Sequence, residues 1–336
     1  MNAKKLIKNI LMSIAIPAVV YVFFFVLCNV TGHAGFGVGA DFKTIVYTTI
    51  YTGMIALAMS INLTSGRFDF AVGATLVAAT ILGGNFASNM GWGAIGLLVS
   101  VAVCGAIIGL ISGLAYVLLK LPPMVVSLGL AMLYEAAGYI VNKHNGIRLI
   151  GKTKILVWAT PPQSIIILVV VCAVMIIVWD YTKFGYERSA LASGQKISTD
   201  TGINENKNAV ICYVIAGLLL GVAGTVYLSK YGVMTPETGL SSSSYFMSAF
   251  LPMFLGGTIS RYNSHSVGIF LGALTQAFLT SGMTWMNVSS SWMTVINGVI
   301  VMLYLIYTSN SYKLVEAKMF KEKLAKAQAA KAAQKA

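Results

Sequence analysis

The chain has 336 residues, 57% of them hydrophobic and 10% charged, with a formal net charge of +13 and a mean hydropathy of +0.80. Soluble domains carry roughly 25% charged residues, so this composition excludes one, and the lack of short alternating segments excludes a transmembrane β-barrel. The basic excess lies in tails and short loops beside apolar runs, where it orients membrane spans; a nucleic-acid partner is not expected.

A hydrocarbon core about 30 Å thick needs around 20 apolar residues per helical span. The first such run covers 10–30. It is too long for a signal peptide and lacks a small-x-small cleavage site, so a retained first span is expected. A second run at 44–63 is followed by the polar stretch NLTSGRFDFAVGA at 62–74, which leads into a third at 70–88. In that stretch Arg67 fits an inside-positive turn, and Asp69 is expected to cap a helix beginning near Phe70 by accepting a free backbone N–H.

Runs at 93–119 and 123–141 follow, the first with Gly105, Gly109 and Gly113 at four-residue spacing. Glu135 lies twelve residues into the second, about 18 Å along a helix at 1.5 Å per residue. On a helical wheel it shares a small and polar stripe with Ser127, Ala131, Gly138 and Asn142. A carboxyl group there requires a partner or a cavity, so a pathway-facing stripe and a structural hydrogen bond are both open. After a run at 163–179 comes the longest polar interruption, 180–207. A loop of ~28 residues is long enough to be functional rather than a simple connection, and a short surface helix is expected between Arg188 and Ile203.

The run at 208–228 carries Gly217 and Gly221. The next, YFMSAFLPMFLGG at 245–257, is too short for a full span and contains Pro252 and Gly256-Gly257, so a broken or re-entrant element is expected. The last two runs, 267–284 and 291–308, hold Gly268, Gly272, Gln276 and Thr280 in one stripe and Asn297 in the other. The glycine spacings predict close helix packing. Asn62, Asp69, Ser127, Glu135, Gln276 and Asn297 are the candidates for a polar solute pathway. From Lys313 the chain is Lys/Ala-rich, a solvated tail attracted to anionic headgroups.

These elements predict an all-α polytopic membrane protein with about ten transmembrane segments, one or two of them broken or short. Residues 1–310 form one transmembrane domain with an internal loop at 180–207, and 311–336 form a basic tail. With an internal N-terminus the inner segments hold 17 basic residues against 6 outside, which puts both termini in the cytoplasm. The cluster KHNGIRLIGKTK at 143–154 runs against that count, because it falls outside. Cys28, Cys104, Cys172 and Cys212 have neither CxxC spacing nor His neighbours, so no metal or disulfide framework is indicated. His33, His144 and His265 lie in loops and read as solvent-exposed bystanders. There is no GxxxxGK[ST] phosphate loop, no HExxH and no Ser/His/Asp constellation; an enzyme with its own ATPase is not expected, nor a cofactor.

Four stretches together resemble the ribose-type sugar permeases of bacterial ABC importers. SGRFDFAVGA at 65–74 resembles G-G-x-D-L-S-V-G, and LPPMVVSLGLAMLYEAAG at 121–138 resembles L-P-x-x-(I/V)-V-T-L-G. ERSALASGQKISTDTGINENK, opening at 187, resembles Y-A-L-G-x-N-x-x-A-A-x-x-S-G-I-x-V-x-x-x-K. FLPMFLGGTISRYNSHSVGIFLGALTQAFLTSGM at 250–283 resembles V-L-G-G-T-x-x-x-G-G-x-G-x-x-x-G-x-x-x-G-A. The chain departs from the pattern at Glu135, where an Arg is common, at ISRYNSHS, which lacks glycines, and at Phe-Asp-Phe-Ala in 68–71. The resemblance implies a permease in the bacterial plasma membrane that moves a small polar solute, most simply a monosaccharide, with a nucleoside the nearest rival. It implies two ATP-binding-cassette ATPase subunits, a second permease subunit and an extracytoplasmic solute-binding protein as partners. It also makes 187–203 the ATPase-coupling element, with Arg188, Ala190, Leu191, Gly194, Thr201, Gly202 and Ile203. The alternative from a different class is an ion-coupled secondary transporter with Asp69 and Glu135 as proton or sodium ligands.

Overall fold

The structure, a computed structural model, describes residues 3–32 and 35–310, with the side chains of all but 3–7, Asn142 and Lys143. His33, the basic tail and the side chain of Asn142 therefore lie outside the described residues. By internal contacts the chain divides into two units, Met1–Asn287 and Val288–Ala336, where the sequence placed its boundary at 310. The second unit's described helix is Ser290–Asn310, labelled α13 below.

The first unit contains α1 (Ala3–Val30), α2 (Ala40–Leu63), α3 (Val72–Asn89), α4 (Ala94–Leu119), α5 (Pro123–Ile140) and α6 (Gln163–Asp180). These are followed by α7 (Lys183–Ser193), α8 (Gln195–Asp200), α9 (Glu205–Tyr231), α10 (Ser243–Met247), α11 (Phe250–Ile259) and α12 (His265–Trp285). A two-residue antiparallel pairing joins β1 (Ile147–Arg148) to β2 (Val233–Met234). The protein is an all-α, multi-pass membrane protein, and eight described helices are long and apolar enough to cross a bilayer. Helix α3 is not one of the eight. Almost all of it is buried by other helices, so it needs no lipid-facing apolar surface and carries Thr75, Thr80 and Asn85. The short run at 245–257 is realised as two pieces, α10 and α11, a broken element.

Local chemistry sets the helix ends. The Asn204 Oδ1 accepts the Lys207 N–H at 3.0 Å, opening α9 with Glu205 in its first turn. Its last turn carries Lys230, and Gly232 stops it at φ 71°. That order of charges matches the helix dipole, and the stop is the left-handed cap that glycine favours. Helix α4 stops at Lys120, just before Leu121-Pro122-Pro123, because a proline disfavours helical backbone in the residue ahead of it.

The glycine spacings are packing seams. A Cβ on Gly105 would stand 2.2 Å from the Gly217 carbonyl oxygen, one on Gly217 2.1 Å from that of Gly105, and one on Gly109 2.2 Å from that of Tyr213. Helices α4 and α9 therefore touch backbone to backbone. Gly268 and Gly272 play the same part in seating α12 on α11, against Gly256 and Pro252. Helix α2 runs through the middle, buried from Ile45 to Asn62 apart from two positions.

The bundle of the first unit has two distinct ends. At one, the C-terminus of α2, the α7–α8 segment, the start of α9 and the start of α12 meet: Arg188 donates to Thr64, and His265 Nε2 lies 3.1 Å from Ser60 Oγ. His265 is thus half-buried and bonded, not the exposed bystander expected from its loop-like setting, because it opens α12 where that helix packs on α2. At the other end lie the start of α2, the end of α12 and the β1–β2 pairing, where Ser281 Oγ donates to the Asp41 carboxylate. The basic segment 143–154 belongs to this second end, opposite 180–207.

Candidate functional site

Helix α5 carries Glu135 on its buried face, with Ser127, Ala131, Tyr134 and Gly138. Glu135 is only 3% exposed. Its Oε2 accepts the Leu240 N–H at 2.8 Å and its Oε1 the Ser242 N–H at 3.0 Å. The carboxylate thereby satisfies backbone donors that the break before α10 would otherwise leave unpaired. Leu240 has a φ of 66° there. Of the two openings left by the sequence, the structure displays the hydrogen bond between elements. Gly73, in the first turn of α3, meets the same turn: a Cβ on it would lie 1.9 Å from the Ser242 carbonyl oxygen.

The other pathway candidates are distributed rather than gathered. Asp69 Oδ1 accepts the Ala71 N–H at 2.8 Å. It closes a turn of the Asx kind ahead of α3, which starts at Val72 rather than near Phe70, so Asp69, three residues before the helix, orders the entry turn and the N-cap position falls to Ala71. Asn62 is buried at the end of α2, and neither its Oδ1 nor its Nδ2 has a hydrogen-bond partner. Ser127 Oγ bonds its own helix at the Met124 carbonyl, 3.1 Å away. Gln276 Nε2 donates to Thr280 Oγ1 at 3.1 Å, while its Oε1 is unpartnered. Thr280 in turn lines a small polar pocket of about 80 Å³ with Asp41, Thr44, Thr48, Ser281 and Thr284. Asn297 lies on α13 of the second unit. Two larger cavities, of about 500 and 440 Å³, are lined by apolar side chains of α2, α6 and α12 and of α6 and α9. Their lining suits acyl chains rather than a polar solute.

The segment expected to couple to an ATPase forms two short helices. Thr182 Oγ1 caps α7 by accepting the Gly185 N–H at 3.2 Å. Arg188 and Leu191 are buried and Ala190 is half-buried, so one face of α7 sits on the bundle. Gly194 separates α7 from α8. Thr201 and Gly202 are exposed, Gly202 with φ 92°, and Ile203 is half-buried with its N–H on the Ser198 carbonyl. Ile197 on α8 is 74% exposed.

Arg188 anchors this segment. Its Nη1 donates to Thr64 Oγ1 at 2.6 Å, and its guanidinium lies 4.6 Å from the Trp179 ring centroid. Arg67, in the turn after α2, is equally buried and lies over Tyr116 at 5.9 Å. No carboxylate pairs with either; among the described residues the ion pair found is Lys183 with Glu187 on the surface. Burial above all lowers the Arg188 guanidinium below its usual range, and the like charge of Arg67 adds to this against Cys212 and Asp180. Nε of both arginines and Nη2 of Arg67 are unpartnered.

Sequence reasoning passed over several residues that matter here. Leu240 and Ser242 contribute only backbone, which no side-chain pattern reveals. Arg67, whose place between two apolar runs reads as an orientation charge, is buried. Tyr47 and Tyr51 on α2, and Tyr227 and Tyr231 on α9, come together as a ring cluster. Their spacing of four residues, twice over, was a legible signal.

Residues 42–305 match the protein family described as "Branched-chain amino acid transport system / permease component". A fructose import permease from Rhizobium meliloti is 21% identical over 304 residues, covering 86% of this chain and 83% of the relative. A ribose import permease from Bacillus subtilis is 26% identical, covering 75% of this chain and 79% of its own. A galactose/methyl galactoside import permease from Haemophilus influenzae is 25% identical over 64% of this chain and 67% of its own. No solved structure gives a match.

Proposed function

The chain belongs to the family of branched-chain amino acid transport system permease components, and on that premise we propose that it is the permease of a bacterial ABC importer for a monosaccharide. The observation that carries this reading is the set of relatives, named as import permeases for fructose, ribose and galactose, which match over most of both chains. In this reading the subunit lies in the bacterial plasma membrane, pairs with a second permease subunit, and receives its solute from an extracytoplasmic binding protein.

Two partner ATPase subunits bind and hydrolyse the ATP, and α7–α8 transmits their closure. Arg188 and Leu191 fasten α7 to the bundle, leaving Ile197, Thr201 and Gly202 free for an ATPase surface. Closure would then favour one of two bundle conformations over the other through differential contacts. The broken element α10–α11, with the turn ahead of it held by Glu135, is the element best suited to move, since its short helices carry few internal hydrogen bonds of their own. An ion-coupled mechanism using Glu135 has less support, because both of its oxygens already accept backbone N–H groups.

The test is reconstitution in proteoliposomes with a partner ATPase and an extracytoplasmic binding protein. ATP-dependent uptake of a labelled monosaccharide is expected, with none when the ATPase is left out. Uptake driven by an ion gradient without the ATPase would overturn the reading.

A further inference from the structure

Five tyrosines outside the pathway candidates gather toward the end of the bundle carrying the β1–β2 pairing. Tyr47 and Tyr51 stack on α2 with centroids 5.8 Å apart. Tyr227 and Tyr231 lie 4.6 Å apart on α9. Tyr51 meets Tyr227 at 5.5 Å and Tyr47 meets Tyr231 at 6.0 Å, so the two pairs form one block. Tyr245 of α10 joins it at 5.7 Å from Tyr227.

Packing alone does not account for the choice of residue. Tyr51 is only 9% exposed, and its hydroxyl has no hydrogen-bond partner. An unpaired buried hydroxyl is destabilising, a cost that phenylalanine of nearly the same shape would avoid. The block also grades outward. Tyr231 is 55% exposed, Lys230 Nζ lies 5.5 Å over the Tyr47 ring, and half-buried Glu237 accepts the Tyr245 hydroxyl at 3.2 Å. The same Glu237 accepts Ser241 Oγ at 2.7 Å, and the turn carrying both is the one tied to Glu135. Flat apolar faces with polar tips, set beside one carboxylate, are the features that hold and orient a small polar ring.

We propose that Tyr47, Tyr51, Tyr227, Tyr231 and Tyr245, with Glu237, form the outer contact site for a polyhydroxylated ring. This rests on the sugar-importer reading above. The C–H face of the ring lies on the aromatic block, its hydroxyl groups pair with the phenol tips and Glu237, and the buried Tyr51 hydroxyl is the deepest contact. Because Glu237 and Tyr245 ride on the broken element and the turn ahead of it while Tyr47 and Tyr51 belong to the central α2, movement of the break would separate or close the two halves.

Tyr51→Phe and Tyr245→Phe, reconstituted with the ATPase and binding protein, test this against wild type. The assay compares the transported monosaccharide with its monodeoxy analogues, and thermal unfolding of each purified subunit is followed in parallel. Tyr51→Phe is expected to keep or raise the melting temperature while lowering uptake efficiency for the parent sugar about tenfold or more. One deoxy analogue, lacking the hydroxyl that Tyr51 holds, is expected to be carried equally well by variant and wild type. That selective equality is the signature of a lost hydrogen bond to substrate, which a structural role would not produce. Unchanged uptake of the parent sugar by both variants would overturn the site, as would a uniform loss for all substrates with a fall in melting temperature. Failure of wild type to carry any monosaccharide would instead overturn the sugar reading, and the ligand class assigned to these tyrosines with it.

Discussion

Glu135 and Ser242, 107 positions apart, are joined by a 3.0 Å hydrogen bond from a backbone N–H to a carboxylate. One helix of the bundle thus supplies the acceptor that lets another element be broken. An ionised acceptor makes such bonds short and strong, and the second bond to Leu240 fixes the turn in two places.

Replacing Glu135 with alanine should therefore be costly. It leaves one buried and one half-buried N–H group without their acceptor, and a loss of about 2–4 kcal/mol is expected from two such bonds. Glu135→Gln keeps one acceptor oxygen and should lose less. Thermal unfolding in detergent would rank them wild type, Gln, Ala; equal stability of all three would show that the turn does not need the carboxylate.

Gly73→Ala examines the same turn from α3. The added methyl would meet the Ser242 carbonyl oxygen at 1.9 Å, and backbone cannot step aside as a flexible side chain can. A destabilisation of about 1–3 kcal/mol is expected from overpacking of this kind. Gly129→Ala, where nothing lies within 4 Å, serves as the control and should be neutral or mildly stabilising through helix propensity.

The two buried arginines should behave differently. Arg188→Gln loses the bond to Thr64 and the stacking on Trp179, and a loss of about 1–3 kcal/mol is expected. Arg67→Gln removes a buried charge that no carboxylate offsets, so stability should hold or rise despite the lost contact with Tyr116. Equal losses in both variants, measured by melting temperature, would contradict this asymmetry.

Ile197→Asp addresses the proposed coupling segment without disturbing the bundle. A surface change of this sort alters stability by no more than about 0.5 kcal/mol, yet it puts a charge on the most exposed apolar side chain of α8. Co-purification with the ATPase and solute-stimulated ATP hydrolysis should both fall. Full coupling in this variant would remove α8 from the ATPase contact.

Much of the architecture was legible because membrane helices write themselves in local terms. Apolar runs of sufficient length, the SGRFDF break, the short run with Pro252 and Gly256-Gly257, and the polar 180–207 segment each reflect constraints acting within a few residues. The glycines at 105, 109, 217 and 221 also announced close approach, since only a missing side chain lets backbones touch. Those features determined the fold class, the location of the breaks and the presence of an internal helical segment.

The partners of the polar groups were decided by tertiary structure alone. A helical wheel placed Glu135 on a buried face, but whether that face met a water path or a backbone turn depended on a segment more than 100 residues away. The same holds for Arg188, whose partner Thr64 is 124 positions distant, and for the tyrosines of α2 and α9, which become one block only when the helices pack. Local periodicity specifies which side of a helix is covered. What covers it is settled by the packing of all the helices together, because each seam constrains the next.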